Sequence, residues 1–367
     1  MEREGGGCVF GVGALTCGYY HNQAIDRIYS MTGARWTLGE KFCRVGKGRW
    51  GKRWVCVWLP AIAAICLALP GMALADETDV VVTIKPIHSL VSNVMEGVGT
   101  PLLLVDGKAS PHSFSLRPSQ VQAVDAAAVL IRVSERLEPF TGKLVRALPE
   151  GVEVVTLVDA PGVRLLEQRH TGTFEHRHDD EPDGHGAEEE ADASDADAHI
   201  WLDPENAKAI SRYVAEVLAR RFPEHAARFK ANAERLVGDI DALTSELSAT
   251  TRPLQGKPFV VFHDAYQYFD RRFDLDAVGS ITVSPEVQPS AKRLIELRNK
   301  IRELKALCVF AEPLFQPQLV AALTEGTGAR GGTLDPEGLS LDAGRQLYFV
   351  LMRNLASSLQ ACLAPAQ

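Results

Sequence analysis

Three histidines stand where their imidazoles could converge on one ion. His112 closes Ala109-Ser110-Pro111-His112, shortly after the apolar run Leu102 to Val105. His263 directly follows the run Phe259 to Phe262, and His199 opens His199-Ile200-Trp201-Leu202. Open α/β sheets bind ligands beyond the carboxyl ends of their strands, which is where His112 and His263 fall. Neutral imidazoles suit zinc, a borderline-soft cation that takes nitrogen and carboxylate oxygen in a tetrahedron. Manganese prefers more oxygen, and copper(II) would bind three imidazoles at least as tightly as zinc by intrinsic order. Spacing alone leaves a plainer alternative open, that of scattered structural histidines.

The remaining histidines have less to say. His88 reads as structural in an early helix, and His225, after Pro223-Glu224, reads as solvent-exposed between helices. Glu312, just past the run Leu307 to Phe310, reads as a hydrogen-bonding carboxylate rather than a ligand. His170, His176, His178 and His185 lie within residues 167–198, which carry twelve Asp/Glu and two Arg. Such a segment cannot bury enough apolar surface to offset its ordering entropy, so a mobile loop is expected, with its histidines as weak auxiliary metal sites.

The first 75 residues differ from the rest. A basic run (Arg44, Lys47, Arg49, Lys52, Arg53) precedes the uncharged apolar stretch Trp54 to Leu69, and Ala73-Leu74-Ala75 follows. Basic, apolar, then small residues make a secretory signal peptide, cleaved after Ala75. The apolar stretch is shorter than the roughly 20 residues of a spanning helix. Residues 76–367 then hold 30 Lys/Arg against 43 Asp/Glu, a formal net charge of −13. That balance disfavours nucleic acid and favours a cationic ligand. Five of the seven cysteines fall in the leader, leaving Cys308 and Cys362. In an exported chain the pair reads as one disulfide, with two buried thiols as the alternative.

Elements that could position these groups follow in alternation. Strands are expected at Val80 to Ile84, Leu102 to Val105, Val129 to Val133 and Val152 to Leu157, with helices at His88 to Glu96, Arg117 to Val124 and Glu138 to Leu148 between them. Asp203-Pro204 caps a helix to about Phe222, and a long helical stretch runs from Pro223 to about Ser248. A second series has strands at Phe259 to Phe262, Ala277 to Val283 and Leu307 to Phe310. Helices in that series are expected at 266–273, 291–304, 317–325 and 342–363, with a Gly-rich turn before Thr333. The fold class is therefore α/β, two parallel-sheet lobes joined by a long helix. The divisions expected are a leader 1–75, a lobe 76–222 that includes the acidic loop, a linking helix 223–252 and a lobe 253–367. Neither GxGxxG after a strand nor GxxxxGK[ST] occurs, which argues against nucleotide binding.

Five motifs resemble, in order, those of the ZnuA family. They are Ile84-Lys85-Pro86-Ile87-His88, Gly107 to His112 with Ser115-Leu116-Arg117-Pro118-Ser119, His199 to Pro204, Val261 to Tyr266, and Gly332 to Pro336. These are zinc solute-binding proteins of ABC importers. The resemblance implies two lobes joined by a rigid helix, with zinc in the cleft between them. It implies His112, His199 and His263 as ligands, and Asp335 in the place of an aspartate that ligates in many relatives. Manganese-binding relatives carry a carboxylate where His263 stands. One departure is Pro111, where some relatives have a glutamate that completes the shell. That leaves Asp335 or water as the fourth ligand. The expected function is high-affinity capture of Zn2+ in the periplasm by a monomer and its delivery to a membrane permease, with a periplasmic zinc chaperone as a possible further partner. Other readings are a manganese or iron paralogue and an adhesin or sensor of the same fold. A zinc hydrolase, from a different class, lacks support: no HExxH occurs and no general base stands out.

Overall fold

A computed structural model describes residues 80–107, 109–169, 174, 195–282, 290–313 and 317–364. The leader with Ala75, and His170, His176, His178 and His185, lie outside the described residues. The first series runs β1 (Val80–Val82), α1 (Lys85–Val94), β2 (Leu102–Leu103), α2 (Pro118–Asp125), β3 (Val129–Arg132), α3 (Phe140–Ala147) and β4 (Glu153–Thr156). Two long helices follow, α4 (Pro204–Arg221) and α5 (Ala226–Thr251). The second series runs β5 (Phe259–His263), α6 (Gln267–Phe273), β6 (Ala277–Thr282), α7 (Ala291–Glu303), β7 (Cys308–Ala311), α8 (Pro317–Thr324), β8 (Arg330–Thr333) and α9 (Leu347–Leu363).

The strands form two four-stranded sheets, ordered β2-β1-β3-β4 and β6-β5-β7-β8. Every pairing within them is parallel. Parallel sheets need cover on both faces, and the strands supply it by alternation. Val80, Val82, Val129 and Ile131 face one shared core, as do Phe259, Val261, Cys308 and Phe310. Val81 and Leu130 face away, into a core closed by α2 and α3 residues such as Val124 and Leu144. Val260, Phe262 and Val309 face a third core closed by Leu297 and Ile301 of α7 and Leu323 of α8. The shared core holds α1, α4, α5 and α9, so one apolar layer runs through both series.

The 26-residue α5 lies between the two series and packs on α1, α4 and α9. Its buried positions Phe229, Ala233, Leu236, Ile240, Leu243 and Leu247 keep to one helical face. The C-terminal helix α9 reaches across to α1 as well. Polar bonds reinforce that crossing: Lys85 Nζ donates to the carbonyls of Leu339 and Leu341, and Ser89 Oγ to that of Arg345. Cys308 in β7 is bonded to Cys362 in α9, fastening that helix to the second sheet.

The structure departs from the sequence reading at three places. The Gly-rich stretch expected as a turn includes strand β8, Arg-Gly-Gly-Thr, paired with β7. It lacks an apolar pattern because it is an edge strand lying close on its neighbour, where a Cβ at Gly332 would stand 2.6 Å from Phe310. The last helix begins at Leu347 rather than Asp342. The acidic segment has an ordered base: Glu167 bridges Ala196 in antiparallel fashion, Gln168 N donates to Asp195 O, and Asp197 N donates to Leu166 O. Leu166, Ala196 and Ala198 are buried and give that base its apolar contacts.

Candidate metal centre

His263 is the last residue of β5, a strand buried at every position. It continues the phase of Phe259 and Val261, which places its ring toward the shared core. His199 precedes a 3-10 turn, Ile200–Leu202, whose three residues are buried. Trp201 anchors that turn, since its indole N–H donates to Pro336 O at 2.9 Å and its carbonyl accepts from Tyr348 Oη at 3.1 Å. Asp203 then accepts from Glu205 N and caps α4, with Pro204 at its start. His112 comes from the irregular chain between β2 and α2, where its amide donates to Ser110 Oγ at 3.3 Å.

These three imidazoles meet. One nitrogen from each lies within 4.8 Å of the other two, and they form the metal-ligand cluster found among the described residues. The Nε2 atoms of His199 and His263 are 3.3 Å apart. Ring centroids are separated by 5.7 Å for His112 and His199 and by 5.8 Å for His112 and His263. His112 Nε2 is buried and has no hydrogen-bond partner. A buried ring nitrogen normally finds one, so its place among two other imidazole nitrogens fits a lone pair reserved for a cation.

Two carboxylates orient the pair. Asp197 Oδ1 lies 2.7 Å from His199 Nδ1, and Glu312 Oε1 lies 2.7 Å from His263 Nδ1. Each holds the proton on Nδ1 and leaves Nε2 as the donor atom, the usual outer partner of a metal-bound histidine. Tyr266 Oη also donates to Glu312, at 3.2 Å. Glu312 thus acts as the hydrogen-bonding carboxylate expected for it. Asp197 was not singled out from the sequence. Its one signal is the Asp-Ala-His spacing at the edge of an acidic run that masks it.

Electrostatics separates the histidines. Burial, aided by the neighbouring His199 and His263, pushes His112 down to about 2. Burial also lowers His263, but the charge and hydrogen bond of Glu312, with Asp264 and Asp197, outweigh it and raise its pKa above 6.5. Asp335 lies outside the three-histidine set. Its carboxylate accepts from Glu337 N at 3.2 Å and from Ser340 N and Oγ at 3.4 Å. His88 is outside that set too, with Nε2 3.0 Å from Pro101 O. His225 is half-buried beside Phe229 rather than fully exposed.

Two parallel α/β lobes with a three-histidine centre where their strand ends meet define a metal-binding protein of the solute-binding class. Comparison with known proteins then gives the family. The model of the family described as "ZnuA: Zinc-uptake complex component A periplasmic" matches residues 80–362. The "High-affinity zinc uptake system protein ZnuA" of Brucella suis is 44% identical over 321 residues, covering 80% of this chain and 94% of that protein. The solved "Crystal structure of ZnuA" has a TM-score of 0.64 at 22% identity, covering 79% of this chain and all of that one (100%). The laminin-binding adhesin Lmb of Streptococcus agalactiae has a TM-score of 0.63 at 24% identity, covering 77% and 99%, a likeness of fold alone. The chain belongs to the ZnuA family.

Proposed function

We propose that the chain is the high-affinity, periplasmic zinc-binding component of an ABC importer, which captures Zn2+ and passes it to a membrane permease. The family carries the transport role. The observation that carries the metal is the meeting of three imidazoles, two of them fixed by carboxylates on Nδ1. His112, His199 and His263 are the ligands, and Asp335 or water completes the tetrahedron. Zinc is cargo here, so the protein's task is to bind and release it rather than to run a reaction on it. The donor set of nitrogen atoms favours zinc over manganese, which seeks more oxygen.

Several finer points belong to the same reading. Residues 1–75 are removed after Ala75 on export, and the mature chain is a monomer with lobes 76–222 and 253–367 joined by the helix 223–252. A periplasmic zinc chaperone is a further candidate partner. His170, His176, His178 and His185 add weak metal capture. The manganese, iron and adhesin readings gain no observation of their own from this site.

Metal analysis of protein purified from the periplasm of zinc-limited cells tests the function. About one tightly held zinc per chain is expected from the three-histidine set among the described residues. Manganese or iron at that stoichiometry, with zinc absent, would contradict it.

A further inference from the structure

Arg169 stands where the paired base of the acidic segment ends, one residue beyond the stem formed by Leu166–Gln168 with Asp195–Asp197. Its guanidinium turns toward the second lobe. Nε donates to both oxygens of Asp264, at 2.9 and 3.1 Å, and Nη2 donates to Asp264 Oδ1. Nη2 also stands 4.0 Å from Asp270 Oδ2. Phe174 covers the other side, with the guanidinium 3.5 Å from its ring centroid, and Phe174 N is itself bonded to Val278 O on the edge strand β6. Asp264 and Asp270 are buried, so this cation offsets carboxylates that water does not reach.

Both ends of this contact belong to segments that carry the metal centre. Asp264 follows His263 directly in the chain. The facing strand of the stem carries Asp197, whose carboxylate holds His199 and whose carbonyl accepts from Tyr268 Oη at 2.7 Å. The stem and the His263-Asp264 turn come from different lobes, and the Arg169 pair joins the segment that carries Asp197 and His199 to the one that carries His263. A guanidinium gripping both oxygens of a carboxylate fixes direction as well as charge.

We propose that Arg169 is a positioning residue of the three-histidine centre, locking the stem that orients His199 onto the turn that carries His263. The inference rests on the zinc reading above, and it assigns the base of the acidic segment to the site's scaffold. The stem must therefore be kept.

The test compares wild type with Arg169→Met and Arg169→Lys in the full mature chain. The first readout uses no metal: long-range 1H–15N spectra of the histidine rings in the metal-free proteins. Arg169→Met should shift the ring nitrogens of His199 and His263 and leave those of His88 and His225 in place, while Arg169→Lys should shift them less. The second readout is zinc affinity by competition, expected to fall at least tenfold in Arg169→Met and less in Arg169→Lys, with altered visible bands in the cobalt(II)-loaded protein. Unchanged His199 and His263 rings in folded Arg169→Met, or rings displaced as far in Arg169→Lys as in Arg169→Met, would overturn the proposal. A wild type that binds no tight zinc would instead overturn the zinc reading, and the ring spectra would still decide the role of Arg169.

Discussion

His199 and His263 face one another from different lobes with their Nε2 atoms 3.3 Å apart, each held at Nδ1 by its own carboxylate at 2.7 Å. Two nitrogens that both carried protons would repel at that distance. Both carboxylates place the proton on the far side, so two lone pairs face a common point to which His112 adds a third.

The carboxylates should therefore matter without touching the metal. Glu312→Gln removes the charge that holds the His263 tautomer. Loss of an outer partner of this kind typically costs about 10–100-fold in metal affinity, and we expect that range by competition against a chelator of known affinity. Affinity equal to wild type would show that Glu312 does not position His263.

Acid should release the metal, with an uneven contribution from the ligands. Glu312, against the pull of burial, raises the metal-free His263 pKa above the ordinary histidine value, so His263 takes up a proton earlier than a free imidazole as pH falls, and zinc must compete with that proton. His112, pushed down to about 2, has no proton to lose. Proton release on zinc binding should grow as pH drops from 7.5 to about 5, and affinity should fall over the same range. Calorimetry in two buffers of different ionisation enthalpy measures the release. Zero proton release, or affinity independent of pH, would count against imidazole ligation.

The same shifts act on the stability of the metal-free fold. For His263 the folded pKa exceeds the unfolded one, so its contribution is full below pH 6.5 and is lost as pH rises through the folded value. His112 works in the opposite sense: below pH 6.5 the unfolded chain takes up a proton that the folded chain refuses. Replacing His112 with Phe should reduce the loss of metal-free stability between pH 6.5 and 4, as measured by denaturant midpoints. An unchanged acid slope would place the proton uptake elsewhere.

Reduction of Cys308–Cys362 should weaken the second lobe. The bond closes a sequence separation of 54 residues, worth up to about 4 kcal/mol in the chain-entropy model. Alkylation of the exported protein should find free thiols only after reduction, and the double Ala variant should melt at lower temperature. Two reactive thiols in the unreduced protein would contradict the pairing.

Where the acidic segment is cut should decide the outcome. Removing residues 175–194 keeps the stem, Arg169 and Asp197, and should preserve one tight zinc equivalent while losing the weak binding of His176, His178 and His185. Removing residues 168–198 takes away Asp197 and Arg169 and should weaken the tight site. Equal affinity in the two deletions would deny the stem any part in the site.

Much of this arrangement was legible in the sequence because it rests on local signals. Alternating apolar runs gave seven of the eight strands within a few residues, and Asp203-Pro204 marked the start of α4. His112, His199 and His263 stood out by residue type at the ends of such runs, and the family motifs joined them into one set. What stayed hidden depends on contacts between distant segments. β8 has no apolar pattern, since its place comes from pairing with β7 and close packing on Phe310. Asp197 and Arg169 were absorbed into an acidic stretch that composition marks as unstructured, and only their partners distinguish them, His199 two residues on from Asp197 and Asp264 in the other lobe from Arg169. Asp335 was placed in the ligand set by motif alone, while its carboxylate oxygens here accept from Glu337 and Ser340.

The central claim is that His112, His199 and His263 together hold one zinc ion. Titrating the metal-free mature chain with zinc against a competing chelator, alongside the His112→Ala, His199→Ala and His263→Ala variants, addresses it most directly. We expect one tight equivalent in wild type and, in each variant, weakening of about a hundredfold or more, beyond the ~10–100-fold typical of losing only an outer partner. Full affinity in folded His263→Ala, or no tight equivalent in wild type, would contradict the account.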